Sequence, residues 1–222
     1  MRKAAILVVA MMLLLAGCGE GDWLQVREGA SVPIYDEPGG KVVARAADRT
    51  QFGSPMSFGV LGERDGGDWI EVTTALGPPN EPLWVRANPK ALRTMETPWS
   101  IDVDLGERRL ELRRDDVVVR TAGIAIGRAE SPTPTGRFAV TDVIVRDLDH
   151  ATYGCCALAL SAHQPSLPAG WIGGDRVAIH GTPASNDDIG VAASAGCIRV
   201  RDEELIPIVR RAGLGTPVTI RG

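Results

Sequence analysis

Apolar and polar residues alternate in short runs through most of this 222-residue chain. Over residues 20–92 the runs fall at 23–27, 32–35, 42–45, 60–61, 69–72 and 83–85, and Gly-, Pro- and Asp-rich breaks at 37–40, 65–68 and 76–80 separate them. That is the punctuation of short strands joined by turns, and six strands so spaced predict a small barrel over 18–92. Pro89 and Pro98 interrupt the alternation, so 93–98 is read as a linker. From there the pattern resumes at 101–105, 109–112, 117–119, 123–126, 138–140, 143–145, 177–179 and 218–220, predicting a second, mainly β domain over 99–222. One segment, 202–212, reads as helix: Asp202 suits a cap, Glu203 and Glu204 suit the first-turn dipole, and Gly213 suits a stop. Pro207 is expected to split or kink it.

The first residues follow a different rule. Arg2 and Lys3 precede the apolar stretch 6–15, and Leu15-Ala16-Gly17-Cys18 follows with small residues at a cleavage point, the layout of a secretory leader over 1–17. The apolar run is short for about 30 Å of hydrocarbon, which argues against a spanning anchor. Leu-Ala-Gly-Cys resembles the bacterial lipobox, and that resemblance implies lipidation of Cys18 and an extracytoplasmic location on a membrane, facing the cell wall. Formal net charge is −4, and loss of Arg2 and Lys3 with the leader makes it two units more negative. An acidic chain without clustered Lys and Arg is a poor partner for nucleic acid.

Of the remaining cysteines, Cys155 and Cys156 are adjacent and Cys197 stands apart. An odd cysteine outside the cytoplasm is either reactive or an intermolecular partner. A thiol needs a base or a nearby positive charge to become a nucleophile, and His180 is the candidate base. Gly196, just before Cys197, lets backbone approach a substrate carbonyl, and the amides around Gly196 and Cys197 suit a developing oxyanion. His150, Cys155, Cys156 and His163 have the residue types of a zinc site, but adjacent cysteines do not readily share one ion, so a vicinal disulfide or two reduced thiols is the favoured reading. No metal or cofactor is implied. Residues 171–174, Trp-Ile-Gly-Gly, read as a loop, and Trp23, Trp69 and Trp84 as core aromatics rather than a stacking platform.

Taken together, His180-Gly181-Thr182, Ile189-Gly190 and Ser194-Ala195-Gly196-Cys197-Ile198-Arg199 closely resemble the signature of the L,D-transpeptidase (YkuD-type) catalytic domain, and Pro132-Thr-Pro-Thr-Gly-Arg-Phe138 resembles that family's Thr-Pro-x-Gly-x-Phe segment. The resemblance covers about residues 98–222. It implies a β-sandwich domain with a short C-terminal helix, and Cys197 as nucleophile toward the third residue of a peptidoglycan stem peptide. It further implies His180 as base, Gly181 as the carbonyl that orients it, and a thioester resolved by the amine of a second stem to give a 3→3 cross-link. Carbapenem-type inhibitors would acylate Cys197. Ser194 is placed in the loop and pocket, and Arg199 is read as a structural or substrate-facing cation. Many members carry His where this chain has Ala195, so any acceptor-positioning role of that imidazole is missing. Residues 60–63, 68–72 and 83–86 resemble the end of a bacterial SH3-like domain. Two rival readings remain open: L,D-carboxypeptidase action, with water as acceptor, and a non-catalytic wall-binding lipoprotein.

Overall fold

The computed structural model describes residues 22–145, 149–183 and 188–222; the leader and Cys18 lie outside them. The first sheet contains β1 (Asp22–Val26), β2 (Val32–Tyr35), β3 (Val42–Ala46), β4 (Ser57–Arg64), β5 (Trp69–Thr73), β6 (Leu83–Arg86) and β7 (Leu92–Glu96), in the order β3-β2-β6-β5-β4-β1-β7. Leu24, Ile34, Phe58, Val72, Leu83 and Val85 form its core. Strand β7 lies where the prolines suggested a linker. It pairs with β1 from Val26↔Leu92 to Asp22↔Glu96, yet buries only Leu92. Main-chain bonds hold an edge strand without apolar alternation, so periodicity is silent there.

The second sheet takes β8 (Trp99–Asp104), β9 (Arg109–Arg114), β10 (Val117–Gly127), β11 (Gly136–Ile144), β12 (Ala157–His163), β13 (Arg176–Thr182), β14 (Ala192–Ser194), β15 (Ile198–Arg201) and β16 (Pro217–Arg221), with helices α1 (His150–Tyr153) and α2 (Asp202–Val209). Its order is β14-β10-β15-β13-β12-β11-β16-β8-β9, and β10 also pairs with β9, so the sheet folds back on itself. The mainly β fold with a short C-terminal helix agrees with the sequence reading. Two predicted runs merge into β10: Val117 to Gly123 pair with β9, then Ile124 and Ala125 with β15. The polar residues between the runs lie on the half that pairs with β9. Strand β12, Ala-Leu-Ala-Leu-Ser-Ala-His, escaped prediction because six of its seven residues are buried and its outward positions are small rather than polar. Pro207 sits inside α2 without splitting it, and the residue at the cap is Arg201 rather than Asp202.

One face of the β11-β12-β13-β15 region carries Val140, Leu158, Leu160, Val177, Ile179, Ile198 and Val200, covered by Leu205 and Ile208 of α2. The first sheet docks on the other face. Gly59 is there because a Cβ would come within 2.6 Å of the Ala139 Cβ. Thr73 Oγ1 and Ser161 Oγ lie 2.7 Å apart, and Asn80 exchanges two 2.8 Å hydrogen bonds with the backbone of His163. Thr50 donates to the fully buried carboxylate of Asp142.

Gly215, in the left-handed region at φ +76°, lies directly under the Trp23 ring, and any Cβ would overlap it. Gly215→Ala is therefore expected to lower the thermal midpoint by at least about 2–4 °C, because strain alone at positive φ costs about 1–2 kcal/mol. Gly213→Ala, in open space, is the control. Equal midpoints for the two variants would contradict this account of how the sheets meet.

Candidate active site

Parallel pairing of β13 with β15 sets Ile179 beside Ile198 and His180 beside Arg199. Side chains alternate along a strand and registered neighbours share a face. Ile179, Ile198 and Val200 enter the core, so His180, Arg199 and Cys197, one residue before β15, share the opposite face. Cys197 and His180 are then diagonal neighbours on adjacent strands, a separation that longer side chains span.

His180 is 3% exposed, and its Nδ1 lies 2.8 Å from the carbonyl oxygen of its own neighbour, Gly181. That acceptor assigns the ring proton to Nδ1 and leaves the Nε2 lone pair available as a base. Burial pulls the imidazole down to about 4, against the Gly181 hydrogen bond, and the nearby Arg199 charge pulls the same way. Burial pushes the Cys197 thiol up, while the Ala178 backbone N–H and Arg199 draw it down. Both groups are therefore neutral at rest. Sγ donates to the Arg176 carbonyl at 4.0 Å, and among the described residues no hydrogen bond joins it to the imidazole.

Gly181 is closely cradled. Its N–H donates to Cys156 O at 3.0 Å, and Asp202 Oδ1, which also accepts from the Cys155 amide at 3.0 Å, occupies the space a Cβ would need. Cys155 and Cys156 form a disulfide with each other, and His163 is engaged by Ala75 O and Asp175, so these residues are not gathered as a zinc set.

The loop before Cys197 is held from three sides. Ser194, 2% exposed, donates through Oγ to Cys197 O at 2.6 Å and accepts from Gly196 N at 3.0 Å. The Gly196 amide, expected to face an oxyanion, is thus used inside the loop, and Ser194 is a brace there. Thr133 Oγ1 donates to Gly196 O at 3.0 Å while accepting from Gly127 N at 2.9 Å. Gln164, anchored by Pro132 O at 2.6 Å and Ser166 N at 2.7 Å, lies against Gly196, where φ is +117° and a side chain would collide with it. Arg199 forms an ion pair with Asp188, so its charge is partnered within the site.

The family model for the L,D-transpeptidase catalytic domain, YkuD, matches residues 98–220. The chain belongs to the L,D-transpeptidase family. Among relatives, the YkuD proteins of Bacillus subtilis (strain 168) and Bacillus licheniformis are 34% and 31% identical over 126 and 125 residues, in each case 55% of this chain. The chain spans 66% of the length of these relatives. A solved L,D-transpeptidase from Mycobacterium smegmatis is 16% identical, with a TM-score of 0.43, over 64% of this chain and 73% of that one.

Both motif segments fall inside the matched span, and in this L,D-transpeptidase domain the first braces the second through Thr133. Sequence reasoning missed four neighbours. Thr133 and Asp188 lay within or beside quoted motifs, whereas Gln164 and Tyr153 had no local signal. Tyr153 sets its ring edge-on to His180, with centroids 5.1 Å apart, and its phenol is pushed up by burial first and then by the negative charge that Cys197 carries once deprotonated.

The depressed imidazole has a thermodynamic consequence. Between pH 6.5 and about 4 the unfolded chain binds a proton at His180 and the folded chain does not, so stability falls as pH drops through that window. The loss expected is about 3 kcal/mol. Urea titrations from pH 7 to 4 should give a slope that His180→Gln removes; an identical slope in the variant would overturn the assignment.

Proposed function

We propose that this L,D-transpeptidase domain is a cysteine acyltransferase that cross-links peptidoglycan stem peptides through a thioester on Cys197. The observation that carries the reading is the Nδ1–H bond from His180 to Gly181 O, which leaves Nε2 basic on the face that Cys197 shares. Both groups start neutral, so the thiol proton passes to His180 as sulfur attacks the carbonyl of the third stem residue. The resulting ion pair offsets the burial that each charge alone would suffer. With the Gly196 amide held by Ser194, the oxyanion role falls to the Cys197 amide. Collapse of the tetrahedral intermediate expels the terminal D-amino acid as an amine protonated by imidazolium. The side-chain amine of a second stem then attacks the thioester, gives its proton to His180, and releases the thiol with a 3→3 link formed. Arg199, buttressed by Asp188, favours the developing thiolate.

The same reading places the protein outside the cytoplasm, anchored by lipid at Cys18, with a small SH3-like domain ahead of the catalytic one. A disulfide between Cys155 and Cys156 suits an oxidising compartment. Loss of labelled fatty-acid incorporation in Cys18→Ala would support the anchor, and unchanged incorporation would remove it.

Intact-mass measurement after incubation with a carbapenem should give one adduct on the wild-type chain and none on Cys197→Ser. His180→Gln should slow acylation by about 10²–10⁴-fold. An adduct that persists in Cys197→Ser, or no adduct on the wild type, would defeat the proposal. Products from a tetrapeptide muropeptide then separate cross-linking from trimming by water.

A further inference from the structure

The first sheet and the reactive residues lie on the same face of the second sheet, and a cavity of about 360 Å³ opens between the two sheets. The link to the reactive sulfur is direct. Arg176, whose side chain lines the cavity, offers its carbonyl to Cys197 Sγ at 4.0 Å. His163, paired across strands with Arg176, also lines the cavity and precedes Gln164, which packs on Gly196. One wall of the cavity is therefore the back of the nucleophile loop's own supports. The other wall is the first sheet and its connections, with Arg45 and Arg49.

Three guanidinium groups, those of Arg45, Arg49 and Arg176, meet two carboxylates, those of Asp142 and Asp175, in and around this space. The Arg176 guanidinium lies 3.7 Å from the buried carboxylate of Asp142, and His163 Nδ1 lies 3.0 Å from Asp175. Arg176 therefore has its counter-charge in Asp142, and Asp175 adds a second carboxylate at the cavity wall. Arg45 and Arg49 have no acidic partner among the described residues, and the one hydrogen bond from the Arg49 guanidinium goes to Gly53 O at 3.0 Å. On a chain of net charge −4, two exposed arginines that line one cavity and have no ion-pair partner among the described residues mark a place for an anion. The planar fork of arginine matches a carboxylate in two-point geometry, and a volume of a few hundred Å³ suits part of a small ligand.

We propose that this cavity is a subsite that binds a free carboxylate of the peptide substrate, with Arg45 and Arg49 as its recognising groups. This rests on the peptide-acyltransfer reading above and gives the first sheet a part in substrate selection. The carboxylate belongs either to the donor stem or to the acceptor stem.

Calorimetric binding of a stem tripeptide with free carboxylates, and of its carboxamide form, tests the subsite without turnover. The wild-type chain should bind the free form at least about tenfold more tightly, as expected for charge-assisted hydrogen bonds. Arg45→Ala/Arg49→Ala should lose most of that preference while keeping the thermal midpoint. Equal affinity for the two peptides, no binding of either, or full preference retained in the double variant would each overturn the proposal. Repeating the titration on the carbapenem-treated chain separates the sources: preference that persists on the acylated enzyme assigns the carboxylate to the acceptor, and preference lost assigns it to the donor. Failure to form the Cys197 adduct would defeat the acyltransfer reading, while the binding comparison still decides the subsite.

Discussion

The parallel pairing of β13 with β15 is the contact on which the rest depends. It places His180 level with Arg199 and brings Cys197 beside the Ala178 amide, while the alternate residues Ile179, Ile198 and Val200 enter the core. Core burial and chemical presentation are thus two consequences of one register. A slip by one residue would send the polar set inward and the isoleucines outward, so the hydrophobic effect that holds the strands also fixes which side chains meet.

Around that pairing the loop before Cys197 is over-determined. Gly196 has a backbone conformation that other residues resist, Gln164 leaves no room for a side chain there, and Ser194 and Thr133 take up its amide and carbonyl. Such bracing limits motion of the sulfur and orders the groups around it, which suits the acyl transfer proposed above. The electrostatics complement it. Burial keeps both thiol and imidazole neutral at rest, and the ion pair with Asp188 holds the Arg199 guanidinium near them on the face opposite the core. In the acyl transfer proposed above, proton transfer is thereby tied to the arrival of a carbonyl.

The first sheet is more than an appended module. Gly59 against Ala139, Trp23 over Gly215, and the hydrogen bonds of Thr73 and Asn80 dock it on the face that carries Cys197 and His180. That docking creates the cavity lined by Arg45 and Arg49.

What the sequence determined by itself was the family and most of the strand content. Cys197, His180, Gly181 and the Thr-Pro-x-Gly-x-Phe segment are local patterns, and a half-buried strand announces itself by alternation, as at 69–72 or 109–112. Where that physical signal was absent, reading stopped: β7 has one buried residue and holds by main-chain bonds, and β12 is small and buried on both faces. Asp188 opposite Arg199, Gln164 against Gly196 and Tyr153 edge-on to His180 were decided only by tertiary structure. The same holds for the use of the Gly196 amide inside the loop and for the depressed imidazole. These depend on which distant strands lie side by side and how far water is excluded between them, and neither quantity exists in a chain read one neighbour at a time.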